Sequence, residues 1–304
     1  MPELPDVTVY IEALERAVGG TVLADVRLQS PFLLRSVEPP LVAVKGKRVV
    51  GLRRLGKRIV FAFDDDLFLV VHLMIAGRFR WAAPNAKPPG KIALALFVFE
   101  RGTLILTEAG SKKRASLHVV RGAAALAEHD PGGLEIFAAT EAAFADRLTS
   151  ENHTLKRALT DPTLFSGIGN AYSDEVLHAA RLSPLKMTRN LTAEEIARLF
   201  AATRSTLDFW TARLRAEAGG AFPPRVTAFR DGMAVHGRFK EPCPVCGTAV
   251  QRIAYAENEV NYCPRCQTEG RLLADRSLSR LLKKDWPRTV DELERLRARN
   301  RAQV

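Results

Sequence analysis

The chain has 304 residues, 47% of them hydrophobic and 26% charged, and carries a formal net charge of +11. This is the composition of an ordinary globular protein, long enough for two domains, and the absence of any apolar run near the ~20 residues a bilayer demands excludes a helical membrane protein. The excess of basic residues favours a polyanionic partner, which charge alone does not name.

In chain order, the first feature is Met1-Pro2-Glu3. Removal of Met1 turns Pro2 into an N-terminal secondary amine with Glu3 beside it. An α-amino group has a reference pKa of roughly 7.7–8.0, so a useful fraction is nucleophilic near neutral pH. With Met1 retained, the same nitrogen is an amide and attacks nothing. No basic patch precedes an apolar stretch, so no signal peptide is expected.

Residues 6–18 place Val7, Tyr10, Ile11, Leu14 and Val18 at helical spacing, closed by Gly19-Gly20. From 22 to about 120 the pattern turns strand-like. Segments 58–63, 67–72, 92–99 and 103–106 are short and rich in Val, Ile, Leu and Phe, with turn signals at Asp64-Asp65-Asp66, Pro84-Asn85 and Arg101-Gly102. This half reads as a β-sandwich or flattened barrel behind one leading helix. Lys45, Lys47, Arg48, Arg53, Arg54, Lys57 and Arg58 alternate with apolar residues, which places several cations on one sheet face.

Beyond Gly122 helix formers dominate, at 123–128, 141–148, 155–159, 170–180 and 192–216, the last opened by a capping box, Thr192-x-x-Glu195. Asp130-Pro131-Gly132-Gly133 reads as a hinge. Gly167-Ile168-Gly169-Asn170 allows backbone to approach a phosphate at a helix N-terminus; on its own the signal is weak, and a plain interhelical turn is the commoner origin of such a stretch. Residues 219–237 are Gly/Pro-rich loop. All four cysteines lie in Cys243-x2-Cys246-x16-Cys263-x2-Cys266, the spacing of one closed, structural zinc ion with room for a β-hairpin between the pairs. None is left for a disulfide, which fits a reducing cytoplasm. A basic tail with a helix at 291–299 follows. The expected division is 1–130, 131–236 and 237–304.

Four of these segments resemble one family. Met1-Pro2-Glu3-Leu4-Pro5-Asp6-Val7 is similar to the start of formamidopyrimidine-DNA glycosylases and endonuclease VIII, and Leu55-Gly56-Lys57-Arg58 follows at the expected distance. The stretch from Leu155-Lys156 to Phe165-Ser166-Gly167-Ile168-Gly169-Asn170-Ala171-Tyr172-Ser173-Asp174-Glu175 resembles that family's helix–two-turn–helix. Glu241-Pro242-Cys243-Pro244-Val245-Cys246-Gly247 and Tyr262-Cys263-Pro264-Arg265-Cys266-Gln267 resemble its zinc finger. The segments occur in family order over nearly the whole chain, which is identified as a divergent bacterial member.

The resemblance implies a two-domain α+β fold: an N-terminal β-sandwich with a leading helix, then a helical domain with the helix–two-turn–helix and a β-hairpin zinc finger. It implies a base-excision-repair DNA glycosylase with abasic-site lyase activity, acting as a cytoplasmic, nucleoid-associated monomer on double-stranded DNA bearing oxidised bases or abasic sites. Such enzymes flip the damaged base out of the stack. The Pro2 amine then attacks the sugar carbon and displaces the base while Glu3 shuttles protons. A secondary amine yields a cationic iminium, which acidifies the neighbouring C–H, so the strand is cut by β/δ elimination. The implied catalytic residues are Pro2, Glu3 and Lys57; Lys57, Lys156, Gly169 and Asn170 fall where the family holds phosphates around the flipped nucleotide.

Three departures stand out. The family's arginine five residues before the third cysteine is Asn258 here, which loses the charge and the bidentate fork. Ile75 or Met74 takes the place of the apolar wedge that fills the gap in the duplex. Lys112-Lys113-Arg114-Ala115 replaces Arg-Arg-Phe-Gly, so the Arg114 guanidinium stands where an aromatic ring would stack. Two other readings follow: an abasic-site lyase with little base removal, or a catalytically silent damage-binding module. The joint presence of Pro2, Glu3 and Lys57 opposes the second.

Overall fold

A computed structural model describes residues 1–223, 230–255, 258–274 and 286–302, without the side chains of 255, 258, 297 and 300–302. Its first helix, α1 (Leu4–Val18), starts where the sequence supplies a reciprocal cap. The Glu3 side chain accepts from the Asp6 amide, and Asp6 accepts from the Glu3 amide at 2.9 Å. Two orphan donors of the first turn are satisfied this way. From that fixed start, Val7, Tyr10, Ile11, Leu14 and Val18 enter the main core.

That core lies in a sandwich of two four-stranded sheets. The strands are β1 (Leu23–Leu28), β2 (Val49–Leu55), β3 (Arg58–Phe63), β4 (Leu67–His72), β5 (Gly77–Ala82), β6 (Ala93–Phe99), β7 (Gly102–Glu108) and β8 (Ser116–Arg121). One sheet has the order β1-β6-β7-β5, the other β2-β3-β4-β8, and every neighbouring pair is antiparallel. Alternation sends Ile59, Phe61 and Phe63 to the shared core, where Phe61 meets Phe79 edge-on at 6.2 Å. The opposite face of β3 and β4 is also covered: Val60, Phe68, Val70 and Val120 pack with Leu126 of α2 (Ala123–Ala127). Burial on both faces explains why these strands read as continuous apolar runs.

The second half contains α3 (Glu141–Thr149), α4 (Leu155–Thr160), α5 (Asn170–Ala179), α6 (Ala193–Ala218), β9 (Gln251–Tyr255), β10 (Asn258–Tyr262), α7 (Pro264–Thr268) and α8 (Val290–Ala302). Thr140 and Thr154 cap α3 and α4 through their hydroxyls. The expected box at α6 forms, with Glu195 N donating to Thr192 Oγ1 at 3.3 Å and Thr192 N to Glu195 Oε2 at 2.9 Å. Strands β9 and β10 make the antiparallel hairpin of the zinc segment. Helix α7, which no apolar periodicity announces, begins on the second cysteine pair: Cys263 is its N-cap and Pro264 its first residue. Next to it, Leu272 N donates to Arg288 O and Val290 N to Gly270 O, flanking an antiparallel bridge between Arg271 and Thr289.

Two compact units emerge, Met1–Gly133 with Asp208–Ala228, and Leu134–Leu207 with Phe229–Val304. The sequence instead suggested three consecutive segments with breaks after 130 and 236. The difference lies in α6, one uninterrupted helix whose residues up to Leu207 belong to the second unit and whose remainder belongs to the first. Part of the expected 219–237 loop and part of the basic tail fall outside the described residues. No described helix is long and apolar enough to cross a membrane.

Candidate active site

In the first unit the residues directly after the half-buried Met1 are buried. Pro2 is buried and Glu3 is only 2% exposed, although both belong to the first three residues. The Met1 amine is pushed below its ordinary range chiefly by burial; Glu3 and Asp6 oppose this, while the cations Arg78 and Lys57 add to it. Those four side chains therefore surround the terminus closely enough to set its proton affinity. Removing Met1 starts the chain one residue further in, with a secondary amine in the same surroundings.

Lys57 is delivered by the β2–β3 hairpin. Gly56 has φ +60°, a conformation that favours glycine, and the turn is held by Arg54 Nη1 donating to Gly56 O at 2.8 Å. Next to it, Arg58 Nη1 donates to His129 O at 2.9 Å. His72 pairs with Arg58 across β3 and β4. Its Nε2 is buried with no hydrogen-bond partner among the described residues. Burial, then Arg58, Lys57 and His118, push its pKa down to about 4, so the ring is neutral at neutral pH. Sequence reasoning gave His72 no role; the available signal was a polar residue ending an otherwise apolar strand.

The two expected wedge residues occupy one tight turn. Gly77 N donates to Leu73 O at 2.9 Å, and a Cβ at Gly77 would stand 2.1 Å from that oxygen, so only glycine fits. Met74 adopts φ +53° within the turn and is half-buried, whereas Ile75 is 53% exposed. Arg78 ties the turn off by donating to Ile75 O at 3.0 Å and to Gly77 O at 2.6 Å. One guanidinium thus braces the Ile75 turn and lowers the terminal amine's proton affinity. The sequence analysis missed Arg78, because an arginine after a glycine turn carries no signature of its own.

Lys112 and Arg114 lie in the loop after β7. Its anchor is Glu108, 1% exposed, whose carboxylate accepts from Arg114 N at 2.9 Å and from Ala115 N at 3.2 Å, while Lys113 Nζ donates to the Glu108 carbonyl. Lys112 is exposed and Arg114 half-buried.

In the second unit, Asn170 is the first residue of α5 and follows Gly169, its N-cap. A helix N-terminus preceded by a small residue presents amide donors and positive potential to an anion. Lys156 differs from the expectation of a direct phosphate contact. It is 5% exposed, and its ammonium donates to Asn170 O at 2.6 Å, Ser173 Oγ at 2.8 Å and Asp174 Oδ1 at 2.5 Å. Three acceptors use up the three protons of an ammonium.

The rest of α5 serves the zinc segment. Glu175 accepts from the amides of Ala234, Val235 and His236, and burial raises its pKa against those donors. His178 Nε2 lies 3.3 Å from Cys243 Sγ. The sulfur atoms of Cys243, Cys246, Cys263 and Cys266 all fall within 4.8 Å of one another, with separations of 3.9 Å for Cys243–Cys266 and 3.4 Å for Cys246–Cys263. A tetrahedral zinc with bonds of about 2.3 Å sets its sulfurs about 3.8 Å apart, so the donor set fits the ion. These four residues hold one structural zinc. Asn258 starts β10, and its side chain lies outside the described residues.

Comparison with known proteins converges on one family. Residues 1–113 match the formamidopyrimidine-DNA glycosylase N-terminal domain, 134–213 its H2TH domain, and 240–268 the zinc finger found in FPG and IleRS. The chain is 30% identical over 279 residues to the formamidopyrimidine-DNA glycosylase of Exiguobacterium sibiricum, covering 88% of this chain and 99% of that protein. The chain belongs to the formamidopyrimidine-DNA glycosylase family. The Thermus thermophilus glycosylase is 32% identical over 286 residues, covering 89% of this chain and all of its own. The crystal structure of Lactococcus lactis Fpg in complex with DNA containing an abasic site matches 88% of this chain and 99% of its own, with a TM-score of 0.78 at 26% identity.

Proposed function

We propose that this chain removes oxidised bases from double-stranded DNA through the Pro2 amine and cuts the resulting abasic site by elimination. The enzyme is a base-excision-repair DNA glycosylase with abasic-site lyase activity. The observation that carries the residue assignment is the terminus beside buried Pro2 and Glu3, whose amine is pushed below its ordinary range by burial, Arg78 and Lys57. Burial and the two cations depress protonation of an amine there, which is what a nucleophilic amine requires.

Each step has a residue suited to it. The Pro2 nitrogen bonds to the sugar carbon as the base leaves with that carbon's bonding electrons, and Glu3 delivers the proton that accompanies ring opening. Loss of the amine proton frees the nitrogen lone pair, which forms a C=N bond as the sugar's ring C–O bond breaks and its oxygen takes up the proton from Glu3; with no second hydrogen on the nitrogen, the product stays a cationic iminium. That charge draws electrons from the adjacent C–H bond, and the phosphate departs as the proton is removed. Lys57 and Asn170 hold phosphates beside the extruded nucleotide, Ile75 fills the vacated stack, and Lys112 and Arg114 meet the opposite strand.

The zinc is structural. Its four positions are all thiolate, so no position remains open for substrate. The single test is Pro2→Gly on Met1-free protein: a primary amine replaces the secondary one, and strand cleavage at an abasic site is expected to fall at least about a hundredfold. Undiminished cleavage by that variant would remove the Pro2 assignment. Base choice follows from comparing duplexes with oxidised purines, oxidised pyrimidines and preformed abasic sites. Cleavage confined to the last would favour the narrower lyase reading that Arg114 and Asn258 raised.

A further inference from the structure

Lys156 was expected at a phosphate, yet its ammonium points inward beneath the first turn of α5 and is spent on Asn170 O, Ser173 Oγ and Asp174 Oδ1. A cation in that position opposes the positive end of the helix dipole. Asp174, 0% exposed, supplies the compensating charge. Its second oxygen does something else. Oδ2 faces His236 Nδ1 at 2.8 Å and accepts from both the backbone N and the side-chain Nδ2 of Asn261 at 3.2 Å. Asn261 lies in β10, so this one carboxylate meets the 233–236 loop and the zinc hairpin directly and reaches the turn that opens α5 through Lys156.

The turn is tied from the other side too. Ser173 Oγ donates to Gly169 O at 2.5 Å, and the same hydroxyl accepts from Lys156. Asn170 therefore has its carbonyl fixed by Lys156 and its preceding peptide by Ser173, both on the flank of α5 that carries Asp174. Glu175 and His178, one residue and one turn further along, meet the 234–236 amides and Cys243. The buried polar side chains of α5 form a continuous seam between the helix start and the thiolate site.

We propose that Asp174 is a positioning residue: through Lys156 on one oxygen and His236 with Asn261 on the other, it locks the Gly169–Asn170 turn and the zinc hairpin into one rigid DNA-gripping element. Lys156 belongs to that lock and touches no phosphate. The inference rests on the DNA-facing role of Asn170 given above. A buried ion pair of this kind is weak as a source of stability and better suited to fixing geometry. Losing it leaves the phosphate-facing groups in place but not aimed.

The test uses zinc-loaded, full-length protein and a duplex with an abasic-site analogue. Binding is measured across a salt series for wild type, Asn170→Ala, Asp174→Asn, their double variant and Lys156→Met, well below each melting temperature and with zinc content checked. Asp174→Asn is expected to weaken binding about tenfold, the scale of a lost charge-assisted hydrogen bond. The double variant should lose clearly less than the sum of the two single losses, since Asp174 acts in part through Asn170. Lys156→Met should weaken binding without changing the salt slope, because a direct phosphate contact contributes about 0.9 to that slope. A purely structural residue would move the melting temperature and leave these binding readouts alone.

Additive losses in the double variant, full-strength binding by Asp174→Asn, or a slope reduced by about 0.9 in Lys156→Met would each overturn the proposal. Should Asp174→Asn fail to load zinc, Lys156→Met combined with Asn170→Ala carries the same comparison. Wild-type protein that does not bind the duplex would remove the DNA-facing reading itself, and the inference with it. Wild-type binding with additive losses would remove the inference alone.

Discussion

Glu3 shows how one side chain serves two purposes. Its carboxylate closes the capping box of α1 and also raises the proton affinity of the terminal amine, beside which the proposed mechanism has it shuttle protons. The two roles separate in Glu3→Gln, since glutamine still accepts the capping hydrogen bond but shuttles no proton. We expect a melting temperature within a few degrees of wild type and strand cleavage reduced about a hundredfold, read by calorimetry and a cleavage assay. His72 gives a prediction with a definite sign. Its folded pKa of about 4 lies below the ordinary 6.5, so between these values the unfolded chain takes up a proton that the folded one refuses. Stability is fully present above pH 6.5 and falls as pH drops towards 4, by at most about 3 kcal/mol from this ring. Replacing it in His72→Gln should flatten the melting-temperature profile over that window; an unchanged profile would assign the acid sensitivity elsewhere, first to His118 and His129, which burial also lowers. Residue identity and spacing made the four zinc cysteines legible in the sequence. Direction was not: Lys156 reads as a surface lysine because its partners Asn170, Ser173 and Asp174 lie 14 or more residues away, and only folding turns the side chain inward.

Among elements, legibility followed burial pattern. Strands β3 and β4 were easy to read because both faces are covered, and α6 because its capping box is local chemistry. Helix α7 was hidden, since five residues starting at a zinc ligand show no apolar periodicity. The Leu73–Gly77 turn was visible only as a motif; its mechanical reason is the 2.1 Å approach of a Gly77 Cβ to Leu73 O. Gly77→Ala should therefore destabilise the sandwich and misplace Ile75, lowering damaged-duplex affinity more than Ile75→Ala does. Binding and melting curves on both variants check the order. The loop after β7 depends likewise on Glu108. Its truncation in Glu108→Ala strips the acceptor from the amides of Arg114 and Ala115, a loss of about 1–3 kcal/mol per buried donor. Faster amide exchange confined to residues 109–115 is the expected signature.

For the molecule as a whole, the sequence carried the α+β class but not the partition, because a single helix, α6, supplies residues to both units. The charge of +11 predicts strongly salt-dependent DNA binding, with each phosphate neutralised contributing about 0.9 to the slope. Zinc removal tests the second unit: chelation should cost the hairpin its order and DNA affinity with it, because the metal supplies the folding free energy of such small ribbons. The most direct measurement concerns the terminus. Met1-free protein is incubated with abasic-site duplex and sodium borohydride, and the cross-linked peptide is mapped by mass spectrometry. A reduced adduct on the Pro2 nitrogen is the predicted result. An adduct on a lysine, or none from protein that has lost Met1 and binds the duplex, would contradict it.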